Sequence, residues 1–190
     1  YLDVTVAHPG KLTVIARSDK KTDRVDAKEL ARLLRLNSVP QSYVPTAEIR
    51  EARALVRGRQ TLVEDRTKFA NKIHGLLADN GITEDVKPLS VEGREFLREL
   101  SLPSPWDALL DSYLDVVDTL TEQMTQLEGA IEERAGSLTE TQLLMTIPGV
   151  SYYSALLIYA ELGEINRFDG HKEVVSYMGL NPTIRESGDS

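Results

Sequence analysis

No cysteine occurs among the 190 residues, which excludes disulfide staples and thiolate-bound zinc and fits a reducing, cytoplasmic setting. No run of about 18 apolar residues occurs, so no membrane-spanning helix, and no membrane partner, is expected. The opening stretch YLDVTVAHPGK has no basic segment leading into an apolar one, which excludes a secretory signal there. It also lacks an initiator Met, and we expect the strands that would complete its first domain to lie upstream. Aromatic residues are sparse at 6%, but the 41% hydrophobic content is ample for a buried core and for one or two domains.

Positive charge is short overall: 22 Lys and Arg stand against 30 Asp and Glu, a net charge of −8. That balance argues against a general nucleic-acid coat, because phosphate binding rests on Lys and Arg. The distribution is uneven, however. Residues 50–72 hold seven basic residues (Arg50, Arg53, Arg57, Arg59, Arg66, Lys68 and Lys72) against three acids, whereas residues 107–133 hold eight acids and no Lys or Arg. A basic helix and an acidic helix in one chain either pair with each other or face different partners.

The hydrophobic pattern divides the chain. Val4-Thr5-Val6 and Thr13-Val14-Ile15, around Pro9-Gly10, read as one or two strands of a sheet. A helix opens at KTDRVDAKELARLLRL, with Thr22 or Asp23 as N-cap and Val25, Leu30, Leu33 and Leu34 as an apolar stripe, and it ends at Asn37-Ser38-Val39-Pro40. A long helix is expected over residues 46–80, where Leu55, Leu62, Phe69 and Leu76 recur every seven residues beside Val56, Val63, Ile73 and Leu77. After an irregular stretch with a short helix at 91–100, a second long helix is expected over 106–135. Its seam, Leu110, Tyr113, Val117, Leu120, Met124, Leu127 and Ile131, steps alternately by 3 and 4. The tail reads as helix, the tight turn IPGVS, helix, and a third helix near 171–178.

Two constellations carry chemistry. Asp23 and Asp26, three apart at a helix start, lie on one face. They suit a shared Mg²⁺, and divalent ions held by carboxylates are the usual apparatus of phosphodiester chemistry. The plainer reading makes Asp23 a cap and Asp26 a counter-charge to the helix dipole. The second constellation is helix–IPGVS–helix, where Gly149 permits a sharp turn and the following N–H groups suit a DNA phosphate. Arg167 and Lys172 are the nearest cations expected to help, and an ordinary helical corner is the alternative.

The order of these features brings a resemblance. KTDRVDAKELARLLR is similar to the signature that closes the N-terminal domain of the DEDD insertion-sequence transposases, the insertion-sequence one-ten family, and VTVAHPGKLTVIARSDK resembles the strands before it. LVRGRQTLVEDRTKFANKIHGLL resembles the long helix of that family. LLMTIPGVSYYSALLIYAELGEINRFDGHKEVVSYMGLNPTIRESG resembles the start of its C-terminal domain. The resemblance implies a ribonuclease-H-like N-terminal domain whose Asp-Glu-Asp-Asp set binds Mg²⁺, with Asp23 and Asp26 matching the last two members. It implies a serine nucleophile in the C-terminal domain, best matched by Ser187, with Ser190 as the fallback. It further implies DNA as substrate, homo-oligomers (dimer or tetramer) with composite sites, and for some members a structured guide RNA.

The expected fold is therefore mainly α. It comprises the C-terminal remnant of a ribonuclease-H-like (resolvase-like) α/β domain over 1–37, a long antiparallel helical, coiled-coil linker over 38–136, and the start of a helix-hairpin-helix-like C-terminal domain over 137–190. The expected parent activity is Mg²⁺-dependent DNA transposition and recombination, with this piece inactive alone because the first Asp and the Glu have no match in it. The rivals are a non-catalytic helical adaptor and a resolvase-like, metal-dependent nuclease that uses water in place of serine.

Overall fold

A computed structural model describes residues 4–8, 12 and 23–180, without the side chains of Arg24 and Val25. The expected strand at 13–15, the turn at Pro9-Gly10, Thr22 as cap, Val25 in the stripe, and both Ser187 and Ser190 lie outside these residues. The chain forms two compact units, residues 1–46 and 47–190.

In the first unit, helix α1 spans Asp23–Arg35, with Asp23 and Asp26 in its first turn and Arg32 and Arg35 in its last, each sign placed to complement the helix dipole. It stops at Asn37, whose φ of +49° is a left-handed conformation that Asn tolerates better than most residues. Beyond it the backbone pairs with residues 6–8: His8 N–H donates to the Pro40 carbonyl at 2.8 Å and Ser42 N–H to the Val6 carbonyl at 2.8 Å, around an antiparallel bridge from Ala7 to Gln41. Among the described residues this bridge is the extent of β structure. The extended 4–6 stretch finds its partner across α1 rather than next to itself in sequence.

The second unit is built on two long helices, α2 (Ala47–Asp79) and α4 (Trp106–Ser137), joined through a short α3 (Val91–Glu99). Gly81, at φ +72°, ends the turn after α2. Ser90 caps α3 by accepting from Gly93 N–H at 3.0 Å, and a Cβ at Gly93 would sit 2.0 Å from the Lys87 carbonyl oxygen, so only glycine fits. Residues 106–137 then run back antiparallel to α2, as the Phe69–Tyr113 ring contact near one end and the Arg59–Glu128 ion pair toward the other show. Helices α5 (Thr139–Met145) and α6 (Tyr152–Leu162), a 3-10 turn at Ile165–Arg167 and α7 (His171–Tyr177) complete the unit. Helix α6 packs on both α2 and α4.

The seam of the hairpin keeps part of the pattern that the sequence suggests: Val56, Ile73, Leu76 and Leu77 of α2 and Leu110, Val117, Met124 and Ile131 of α4 are buried, and the other stripe positions are half-buried. In α2 the fully buried positions include Ile49, Ala52, Val56, Ala70, Ile73 and Leu77, whereas Leu55, Leu62 and Phe69 are half-buried flanks. Continuing the alternate steps of 3 and 4 from Val56 to Ala70 passes through Arg59, Val63 and Arg66, all half-buried. On α4 the buried line is Leu110, Leu114, Val117, Met124, Ile131 and Ala135, with Thr121 and Glu128 at its polar middle steps. Long arginine stems can cover apolar surface while their heads stay near water, so a heptad count on hydrophobic letters overlooks them.

The consequence is two hydrophobic clusters rather than one. The distal cluster gathers Ile73, Leu76, Leu77, Val86, Leu97, Leu102, Leu110, Leu114 and Val117. The proximal one gathers Ala52, Val56, Ile131, Ala135, Leu156 and Ala160, where α6 joins the hairpin. Arg94 and Arg98 of α3 both reach Asp118 of α4 and fasten the connection onto the distal half. Among the described residues no helix is long and apolar enough to cross a membrane.

Candidate functional site

The two carboxylates that the sequence singles out lie at the start of α1. Asp23 and Asp26 both lie in its first turn; Asp23 is exposed and Asp26 half-buried. One oxygen of Asp26, Oδ1, is buried and finds no hydrogen-bond partner. A simple counter-charge to the helix dipole has no need to bury an unpaired carboxylate oxygen, which costs about 1–3 kcal/mol, more for a charged group. A metal ligand seen without its ion has that appearance. The pair therefore fits a hard cation that takes a small number of carboxylates and keeps several waters, such as Mg²⁺. Among the described residues no third Asp, Glu, His or Cys joins them, so alone the two would make only part of a coordination shell. Glu29, one turn on, is engaged by Arg32 at 3.8 Å.

In the second unit, the IPGVS turn is a tight, exposed connection between α5 and α6. Val150 N–H closes it on the Ile147 carbonyl at 3.1 Å. Gly149 has φ +88°, and a Cβ there would meet nothing within 4 Å, so the glycine serves backbone conformation rather than close packing. Ser151 caps α6, its hydroxyl accepting from Ser154 N–H at 3.3 Å. Lys172 is exposed in the first turn of α7. Arg167 occupies a different setting. Its guanidinium donates to the Leu162 carbonyl at 3.2 and 3.1 Å and lies over the rings of Phe168 and Tyr177, 4.2 and 4.5 Å from their centroids. These contacts explain why an Arg stands at this corner without reference to DNA.

The basic segment of α2 is shared out among several partners in the structure. Arg53 Nε–H donates to the Ala160 carbonyl at 2.7 Å and its Nη2 to that of Glu161 at 3.3 Å. Arg57 grips the Glu161 carboxylate with both nitrogens, at 2.9 to 3.1 Å. Arg59 pairs with Glu128 at 2.8 Å and stacks 4.4 Å over the Tyr153 ring. Lys68 pairs with Asp65 at 2.9 Å, and that hydrogen bond and charge raise its pKa above the usual lysine value. The i, i+4 spacing of Arg53 and Arg57 shows in the sequence that they share a face. No local signal shows that the end of α6, more than 100 residues away, is their target.

Comparison with known proteins matches two segments of the chain, the first of which runs across the boundary between the two units. A transposase profile of the DEDD IS110 type matches residues 3–80, and a profile of the transposase IS116/IS110/IS902 family matches residues 141–190. The chain is 30% identical over 178 residues to the transposase for insertion sequence element IS1111A of Coxiella burnetii, an alignment covering 89% of this chain and 48% of that protein. It is 27% identical over 196 residues to a putative transposase, y4rJ, of Sinorhizobium fredii, covering 90% and 49% respectively. It is 25% identical over 173 residues to the transposase for insertion sequence element IS1328 of Yersinia enterocolitica, covering 88% and 51%. The chain belongs to the IS110 family of transposases. It spans about half the length of these curated relatives.

Proposed function

We propose that the chain is part of a transposase that cleaves and rejoins DNA as an insertion sequence moves. Two matched family segments in one chain support this reading, and the unpaired, buried Oδ1 of Asp26 is the structural observation that carries it. Asp23 and Asp26 would hold Mg²⁺ with carboxylates contributed from outside the described residues; when bound, the ion would neutralise charge gathering on a reacting phosphate. The ribonuclease-H-like character of the 1–37 segment belongs to the same proposal, as do the coiled-coil character of 38–136 and the helix-hairpin-helix character of 137–190.

The chain's own residues would divide the work. Ser187 supplies the attacking hydroxyl, with Ser190 as the alternative; a serine needs a base or a nearby cation to attack phosphorus, and we assign that activation to an Asp23–Asp26 site brought to it only in the assembled oligomer. The exposed turn at Gly149 offers backbone N–H groups to a DNA phosphate, and Lys172 adds charge beside it. Arg167 contributes by holding the corner in shape, since its guanidinium is already committed. Homo-oligomers, a guide RNA and action on cytoplasmic, nucleoid DNA complete the proposal.

Metal binding is testable on the chain itself. Mn²⁺, used as a paramagnetic stand-in for Mg²⁺, should broaden amide signals around residues 23–29, and Asp26→Asn should abolish that effect with helicity unchanged. In a polypeptide carrying the complete carboxylate set, Asp26→Asn should stop DNA cleavage. Ser187→Ala should there remove the covalent protein–DNA adduct and leave DNA binding intact. Retained cleavage by Asp26→Asn returns the pair to a capping role. An adduct lost in Ser190→Ala instead moves the nucleophile by three residues, and cleavage that survives both serine substitutions favours a water-using nuclease.

A further inference from the structure

The C-terminal end of α6 is where the second family segment meets a helix of the first. Four carbonyls at the end of any helix lack helical donors, and in α6 these are the carbonyls of residues 159–162. Tyr159 is satisfied by Gly163 N–H at 2.9 Å and Leu162 by Arg167. Ala160 and Glu161 are satisfied by Arg53, reaching from α2, and Glu161 also by the Tyr177 hydroxyl at 3.3 Å. Arg57, one turn further along α2, holds the Glu161 carboxylate. Cations also suit this place because the helix dipole leaves it negative.

Beneath these bonds Ala52 and Val56 on α2 meet Leu156 and Ala160 on α6, with Leu55, Tyr153, Leu157 and Tyr159 packed around them. Burial of apolar surface is non-directional and does not by itself single out one axial offset. The arginine contacts are axially specific. Free carbonyls exist only at the end of a helix, so a slip by one turn, about 5.4 Å, would leave Arg53 without acceptors.

We infer that Arg53, supported by the Arg57–Glu161 pair, is a positioning residue that fixes the axial register of α6 against α2. An 11-residue helix carries that register across about 16 Å to the Gly149 turn at its other end. On the function proposed above, on which this last step rests, the latch sets where the DNA-contacting turn sits relative to α2, a helix within the first family segment. Arg53 touches no reacting group and acts only through α6.

Because the chain has no native cysteine, spin labels placed at Thr61→Cys on α2 and Tyr152→Cys on α6 read the register directly. The parent chain should give one narrow distance. Arg53→Ala should broaden it or shift it by up to about one helical turn, with overall helicity kept, and Arg53→Lys should restore it in part. Arg57→Glu should broaden it less, and Glu161→Arg added to Arg57→Glu should narrow it again, a rescue that general loss of stability cannot produce. An unchanged distance in Arg53→Ala, or no rescue by the charge swap, overturns the latch. In the polypeptide competent for cleavage, Arg53→Ala should reduce adduct formation at least tenfold with DNA affinity kept, and full adduct formation despite a shifted distance overturns the positioning role. If the parent polypeptide forms no adduct at all, the proposed function fails, and the distances still decide the latch.

Discussion

Arg66 gives the sharpest test of the packing. It stands on the buried line of α2 between Val63 and Ala70, and its Nε is buried with no hydrogen-bond partner. A buried donor left unpaired costs about 1–3 kcal/mol. Arg66→Leu removes that donor and keeps a side chain able to cover the same surface. Because the site is half-buried, the added apolar gain is only part of the roughly 1.5–3 kcal/mol for a fully buried leucine. Together these make Arg66→Leu stabilising by about 1–3 kcal/mol. With a urea m-value of about 2 kcal/mol/M, the unfolding midpoint should rise by roughly 0.5–1.5 M without a change in m. Circular dichroism in urea measures this, because the second unit is almost wholly helical. A midpoint that falls by more than about 0.5 M would refute the reasoning and assign the guanidinium a stabilising partner. A higher midpoint with weaker DNA binding would add that the seam arginine is retained for its charge.

Three further outcomes follow from the same structure. Leu114→Ala, at 2% exposure within the distal cluster, should cost about 2–5 kcal/mol in urea unfolding, whereas Leu120→Ala, only half-buried, should cost less than about 2 kcal/mol on the same measure. Arg167→Ala should increase hydrogen exchange at 163–178, because it removes the Leu162 cap and the filling between Phe168 and Tyr177; unaltered exchange there would return Arg167 to the surface role that its sequence position suggests. Lys172→Ala should leave stability and exchange unchanged and weaken binding to a short DNA duplex in a salt-dependent way, and equal affinity at low salt would remove Lys172 from the interface.

The sequence by itself determined where the helices lie. The expected long helices at 46–80 and 106–135 form at Ala47–Asp79 and Trp106–Ser137, and the short one at 91–100 forms at Val91–Glu99. Helix formation answers to local spacing, caps and stop residues such as Ser90 and Gly81, which a window of a dozen residues contains. The family resemblance was equally legible, because it rests on short motifs such as KTDRVDA and IPGVS that keep their letters in order. On α4 the sequence seam already holds the buried Leu110, Val117, Met124 and Ile131, whereas on α2 tertiary structure decided which line is the centre. Leu55, Leu62 and Phe69 have the right letters yet flank the contact, while Arg59 and Arg66 lie in it: Arg59 sends its head out to Glu128, and the Arg66 Nε stays buried without a partner. It also decided the use of the basic segment. Arg53 and Arg57 find their acceptors on a helix end more than 100 residues later, where unpaired carbonyls and a negative dipole await cations. A charge in sequence has a sign but no address, and only the folded chain brings it to its partner.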